Sequence, residues 1–284
     1  MILVTGATGT VGSELVKRLG EGTWPFRALV RSAGKASGIR QAGGEVAEGE
    51  LGRPETLDAA LEGVDTVFLL SSEDRRQAEL QGSLVEAARR AGVRNFVKLS
   101  VMGADAGSPI AFMRWHRETE EQIERSGMAF THLRPGSFMQ NFLAEAGTIK
   151  SQGMIRDATG EGKTAFIDVR DIAACAVVAL TGDRFQGMAV ELTGPEELSG
   201  PQVAQKLSAA TGKVVRYVNI SIAEKKRAML ASGMPDFLVE DLVRLTELVA
   251  RGGGERVCDG VERMLGREPQ SFDLFARDHA AAFR

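Results

Sequence analysis

Two periods of apolar residues alternate through the first half of the chain. Residues 2–4 are an unbroken apolar run, and after them Val11, Leu15 and Leu19 recur at helical spacing, with Lys17 and Arg18 on the other face. Together they predict one strand and one crossover helix. Further strands are predicted at 26–30, 67–70, 96–99 and 129–133, each bounded by Gly or polar residues. Leu80, Leu84, Ala88 and Ala91 form a helical stripe that Gly92 stops, and Gly127 stops another helix in the same way. Strands alternating with helices predict an α/β fold with a doubly wound parallel sheet of at least five strands.

The texture changes after about Gly194. Ser199 and Gln202 have the spacing of a capping box, and helical patterns follow around 203–210, 223–231 and 236–250. The expected division is a main domain over 1–194 and a smaller, helix-rich lobe over 195–284. Residues 150–165 are assignable to either, and 166–193 read as strand, helix and strand able to return to the main sheet. Gly252-Gly253-Gly254 reads as a flexible surface loop.

Composition narrows the function classes. With 43% hydrophobic and 26% charged residues over 284 positions, the chain has the make-up of a folded enzyme or binder. A formal charge of -3, with basic and acidic residues interleaved, argues against nucleic acid as a partner. Cys175 and Cys258 have no His or Cys neighbours at metal-ligand spacing, so no metal is expected. The apolar run at 172–180 is too short to span a bilayer, and the opening run ends at Thr5-Gly6, short of a secretory signal. These features predict a cytoplasmic protein without a membrane partner; whether it forms a homo-oligomer is open.

The sharpest signal is Gly6-Ala7-Thr8-Gly9-Thr10-Val11-Gly12, a GxxGxxG spacing placed directly after a strand and opening a helix. Gly6 suits the tight turn, Gly9 lets backbone N–H groups approach a pyrophosphate, and Gly12 lets helix and strand pack closely. This is the context of a Rossmann dinucleotide site, with the helix N-terminus facing the anion. Nineteen residues beyond Gly12, where an NAD enzyme places an acidic group for the ribose hydroxyl, stands Arg31. Positions 23–44 hold no Asp or Glu but carry Arg27, Arg31, Lys35 and Arg40. A 2'-phosphate would meet attraction there without repulsion, so NADP(H) is expected in preference to NAD(H), with Arg31 and Lys35 as its contacts. Glu50 is a candidate acceptor for the adenine amino group.

With these residues, His116-Arg117-Glu118-Thr119-Glu120 and Leu133-Arg134-Pro135-Gly136-Ser137-Phe138-Met139-Gln140-Asn141 resemble the NmrA-like branch of atypical short-chain dehydrogenases. The likeness covers nearly the whole chain. It is nearest to bacterial NAD(P)H-dependent quinone, azo-dye and triphenylmethane-dye reductases, and the tail His279-Ala280-Ala281-Ala282-Phe283 is similar to the azo-dye type. The resemblance implies that Gly6, Thr8, Gly9, Thr10, Val11 and Arg31 hold the adenosine diphosphate moiety. It also implies that Ser71 and Ser72 lie near the nicotinamide side, and that Pro135, Gly136, Ser137 and Phe138 line the nicotinamide.

Ordinary short-chain dehydrogenases use a Tyr-x-x-x-Lys pair as proton donor. Here the single tyrosine, Tyr217, is followed four residues later by Ser221 and reads as a packing residue. By the resemblance, His116 stands where the family often has a lysine. An imidazole with an ordinary pKa of about 6.5 suits proton exchange at neutral pH, which makes His116 the candidate catalytic residue. Ser100 ends the fifth strand, where short-chain dehydrogenases keep a substrate-binding serine. Trp115, Met139 and Asn141 are candidate substrate contacts, and His132, inside a strand, reads as a structural, hydrogen-bonded histidine.

A missing Tyr-Lys pair favours acceptors whose reduced form spreads its charge. The expected function is therefore an NADPH-dependent oxidoreductase acting on a quinone, azo compound or other conjugated small molecule, without flavin or metal. The alternative is an NmrA-like regulator that binds NADP(H) without turnover. A sugar-nucleotide or flavonoid enzyme fits less well, because the Tyr-Lys pair is absent and the later lobe is short.

Overall fold

The computed structural model describes all 284 residues except the side chain of Lys35, so the expected role of Lys35 lies outside the described residues. The chain divides into two compact units, neither contiguous in sequence. The first comprises Met1–Ser108, Met113–Arg134 and Ile172–Glu191, and the second Pro109–Phe112, Pro135–Asp171 and Leu192–Arg284. A single cut near residue 194 does not reproduce this division, because 135–171 lie with the later segments.

The first unit is built on strands β1 (Ile2–Val4), β2 (Phe26–Val30), β3 (Glu45–Glu48), β4 (Thr66–Leu69), β5 (Asn95–Leu99) and β6 (Ala129–Pro135). With a seventh strand, Met188–Leu192, they lie in the order β3-β2-β1-β4-β5-β6 and then the seventh. Every pairing from β3 to β6 is parallel. The order reverses direction beside β1, the switch point at which doubly wound sheets bind ligands outside the carboxyl ends of their strands. Helices α1 (Thr10–Glu21), α2 (Ser37–Gln41), α3 (Leu57–Leu61), α4 (Gln77–Arg90) and α5 (Ala111–Arg125) make the crossovers.

Val11, Leu15 and Leu19 are buried as their spacing requires. In α4 the stripe is rotated: Leu84 and Ala88 are buried with Ala78 and Val85, but Ala91 falls beyond the helix end and is exposed. Gly92 and Gly127 both take left-handed φ, of 76° and 80°, which glycine adopts without penalty after a helix. Leu3, Val67, Leu69 and Phe96 pack with Leu57, Leu61, Leu84 and Ile123 into one core. Each such buried side chain contributes about 1.5–3 kcal/mol through area removed from water.

The second unit has its own core, in which Met139, Phe272, Phe275 and Phe283 are at most 1% exposed. The C-terminal tail is part of it: the His279 ring lies 4.7 Å from that of Phe275. Two short sheets belong here, one pairing Lys163–Thr164 with Leu198–Ser199, the other Met154–Asp157 with Arg216–Asn219. The strand expected at the start of 166–193 shrinks to a bridge between Phe138 and Ile167, whereas its last strand does join the main sheet. Helix Gly200–Thr211 opens with Gln202 Oε1 accepting from Ser199 N at 2.9 Å, and helices Ile222–Ala231 and Asp236–Ala250 follow. The glycine run is a packed turn rather than a loose loop. A Cβ on Gly254 would stand 1.9 Å from the Lys163 carbonyl oxygen, so the backbones touch where only glycine fits. Among the described residues no helix is long and apolar enough to cross a membrane.

Candidate functional site: a glycine turn and a buried charge cluster

The three glycines of the turn after β1 have different reasons to be glycine. Gly6 has φ of 64°, and a Cβ there would lie 2.7 Å from Leu70 Cγ. A Cβ on Gly12 would lie 2.1 Å from the Gly6 carbonyl oxygen, which is backbone and cannot step aside. Gly9 differs: its φ is -82°, and a Cβ would meet only Gly6 O, at 3.3 Å. The protein's own packing therefore excludes side chains at Gly6 and Gly12 but scarcely at Gly9. Gly9 is also the N-cap of α1, so no side chain caps that helix, and its first turn has no acidic residue. First-turn N–H groups of a helix have no intrahelical acceptor, and here they face a surface formed by exposed Thr8, Gly9 and Thr10. That cradle fits a pyrophosphate.

The ends of β1 and β4 are tied beside the turn: Thr5 Oγ1 donates to Leu70 O at 2.7 Å and accepts from Leu70 N at 2.8 Å. Ser71 and Ser72 follow, the first accepting from Gln81 Nε2 at 2.9 Å and the second exposed. Arg31, at the end of β2, is exposed and has no hydrogen-bond or ion-pair partner among the described residues, whereas Arg27 is paired with Glu45. Glu50 lies 3.6 Å from Arg53, and its backbone N–H is held by Thr56 Oγ1. Val11 is buried in the α1 interface.

Beneath the ends of β5 and β6 the first unit buries a cluster of ionisable side chains. Glu120, fully buried on α5, accepts from Ser100 Oγ at 2.6 Å, from Arg134 at 2.9 and 2.5 Å, and from Arg117 at 3.1 Å. Burial pushes its carboxyl up, but the Arg134 and Ser100 hydrogen bonds and the neighbouring positive charges outweigh that and hold it at about 2. One turn earlier, His116 is 7% exposed. Its Nδ1 lies 2.7 Å from Lys98 Nζ, and its Nε2 3.6 Å from Glu73 Oε1. Burial and the Lys98 charge lower its pKa to about 4. Lys98 itself is fully buried on β5, and desolvation brings it down to about 7 against the pull of Glu120 and Glu73.

These contacts correct three expectations. His116 is not an ordinary imidazole titrating near neutrality: buried against a cation, it is neutral at pH 7. The Ser100 hydroxyl is committed to Glu120 and sits 5% exposed. His132, although buried, is not hydrogen-bonded; its ring stacks on Phe130 at 4.7 Å, and Nε2 reaches only 3.4 Å from Glu124. Burial lowers its pKa to about 4 as well. Sequence reasoning gave no role to Lys98, Glu73, Glu120 or Arg134. A lysine inside the apolar run Phe96-Val97-Lys98-Leu99 was the available signal, since a charge there must be paired or neutralised.

Trp115 is half-buried on α5, and its carbonyl accepts from Thr119 Oγ1. The remaining expected residues fall in the second unit. Pro135 and Gly136 are buried and Phe138 is half-buried. Ser137 Oγ donates to Glu255 Oε1 at 2.9 Å, while the buried Glu255 Oε2 has no hydrogen-bond partner. Asn141 is exposed, but Met139 is 1% exposed in the core and leaves the set of candidate substrate contacts. Tyr217 packs on Gly200, accepts from Gly160 N at 3.0 Å and reaches the Asp157 carbonyl at 3.2 Å.

The chain is 45% identical over 283 residues to an NAD(P)H azoreductase of Xenophilus azovorans, covering all of this chain and 99% of that protein. Its fold matches an NADPH-dependent quinone oxidoreductase from Escherichia coli, complexed with NADPH, with TM-score 0.88 and 30% identity over 98% of this chain and 99% of the other. It also matches the Citrobacter triphenylmethane reductase complexed with NADP(H), with TM-score 0.85 and 26% identity over 98% and 99%. The NmrA-like family model matches residues 1–275, and the chain belongs to that family.

Proposed function

We propose that this protein is a cytoplasmic oxidoreductase that uses NADPH, in preference to NADH, to reduce a quinone, an azo compound or another conjugated small molecule. The observation that carries the cofactor choice is Arg31, which has no partner among the described residues and stands at the end of β2, together with a glycine turn whose Gly9 leaves room for phosphate. The azoreductase likeness at 45% identity supports the reaction class. In this reading Thr8, Gly9, Thr10 and the first turn of α1 bind the pyrophosphate, and Arg31 and Lys35 take the 2'-phosphate. Glu50 accepts from the adenine. Within the first unit, Ser71 and Ser72 lie towards the nicotinamide and Trp115 contacts the acceptor. NADPH, when bound, supplies the hydride. His116 assists proton delivery to the reduced acceptor.

The test is calorimetric binding of NADPH and NADH, alongside oxidation of each by a panel of quinones and azo dyes. Arg31→Ala is expected to weaken NADPH about 10- to 100-fold, the worth of a charge-assisted contact, and to leave NADH unchanged. Equal affinity of the wild type for both dinucleotides would remove the assignment of Arg31. Tight binding without turnover of any acceptor would support the regulator instead.

A further inference from the structure

The buried lysine of β5 stands at one end of a line of titratable side chains. Lys98 Nζ donates to Leu99 O at 3.2 Å and lies 2.7 Å from His116 Nδ1. On the far side of that ring, Nε2 faces Glu73 Oε1 across 3.6 Å, a gap that a small side-chain movement closes to hydrogen-bond distance. Glu73 is 35% exposed and directly follows Ser71 and Ser72 at the end of β4. A completely enclosed cation is thus connected, through the two nitrogens of one imidazole, to a carboxylate at the protein surface.

We propose that Lys98, His116 and Glu73 form a proton-transfer chain, in which Lys98 is the buried proton store behind His116 and Glu73 is its connection to solvent. This rests on the reductase reading above. The acceptor gains a hydride, becoming an anion, and takes the proton from His116 Nε2. As that N–H bond breaks, Nδ1 gains a proton from Lys98, so His116 stays neutral and Lys98 becomes a neutral amine. After product leaves, a solvent proton entering by Glu73 adds at Nε2 while Nδ1 returns its proton to Lys98. The sum is one hydride and one proton delivered, with the protein unchanged.

Electrostatics suits this cycle. A store must release its proton near neutral pH, and burial brings the Lys98 ammonium down to about 7, with Glu120 and Glu73 opposing that shift and Arg134 reinforcing it. Its charge is also felt by His132 on β6. His116 is faced by Lys98, Glu73 and Glu120, and is kept neutral, so that Nδ1 can accept while Nε2 donates. Lys98 touches no reacting atom and is a positioning and proton-supplying residue rather than a catalytic one.

Two measurements test the chain. The first is direct titration of the wild-type protein labelled with carbon-13 at the lysine Cε, with Lys98→Met, a close match in shape without the charge, used to assign the resonance. One lysine titrating near 7 is expected, and Lys98 titrating with the exposed lysines near 10 overturns the proposal. The second is kcat against pH with NADPH and a p-quinone. Wild-type kcat is expected to fall as pH rises through about 7, as the store empties. Lys98→Met is expected to lower kcat about 10- to 100-fold at pH 6 and flatten the profile, with KM for NADPH unmoved. A Lys98→Met protein with wild-type kcat and the same pH limb overturns the chain while leaving the reductase reading standing. Failure of the wild type to oxidise NADPH with any acceptor overturns both.

Discussion

The glycine turn after β1 and the charge cluster under β5 and β6 lie in the same compact unit and are built on opposite principles. In the turn, side chains have been removed: Gly6 and Gly12 because backbone passes within van der Waals distance, Gly9 although nearly nothing of the protein's own stands in the way. In the cluster, charged side chains have been added where a core ordinarily has none, and Glu120 is held by Ser100, Arg134 and Arg117. The turn leaves backbone N–H groups of α1 without a capping side chain, while in the cluster Glu120 and its partners satisfy one another.

The contrast can be broken at several points. Gly12→Ala carries the largest expected effect, since a methyl 2.1 Å from backbone oxygen forces β1 and α1 apart. A loss above about 4 kcal/mol by urea denaturation is expected, the range reserved for severe packing errors. A Gly12→Ala protein of wild-type stability would show that the turn relaxes freely. Glu120→Ala comes next, because it strips the partner from Arg134 and Ser100. The expected cost is about 3 kcal/mol, at the low end for breaking a buried pair because the Arg134 side chain retains 20% exposure. No change in the denaturation midpoint would mean that the cluster contributes nothing to stability.

Acid tests the same comparison without a substitution. His116 and His132 have folded pKa values lowered from 6.5 to about 4, so between those limits the unfolded chain binds more protons and stability falls as pH falls. Glu120, lowered from 4.5 to about 2, extends the loss through that lower window. A urea midpoint that stays level from pH 6.5 to 4 would contradict the neutral, buried histidines. Smallest in stability is Gly9→Ala, expected within about 1 kcal/mol of wild type because the N-cap merely changes from glycine to alanine. Its effect is expected in NADPH affinity alone, at least about tenfold, measured by calorimetry. Unimpaired binding by Gly9→Ala would remove the pyrophosphate from the turn.

These two regions also differ in how far they could be read before folding. The glycine spacing of the turn was legible at Gly6 and Gly12, because a left-handed φ and a close backbone approach each demand glycine at a fixed offset from a strand. Strand β1 and helix Asp236–Ala250 were equally legible, since an apolar run and a helical stripe carry their own periods. Helix α4 was placed but rotated, because Ala91 and Ala88 are alike to a periodicity argument and only packing distinguishes them. The roles of His116 and Ser100 changed because their partners come from elements distant in sequence: Lys98 is 18 residues from His116, and Glu120 is 20 from Ser100.

The amino-acid sequence by itself determined the alternation of strand and helix, the dinucleotide turn and the basic character of the second strand's end, because each depends on backbone geometry or local charge within a few residues. The tertiary structure alone decided that residues 135–171 join the later segments, that Met139 is core and that Gly254 is a contact rather than a hinge. It alone decided the protonation of Lys98 and His116. A pKa is set by desolvation and by charges arriving from other elements, and neither exists until the sheet has formed and α5 has packed upon it.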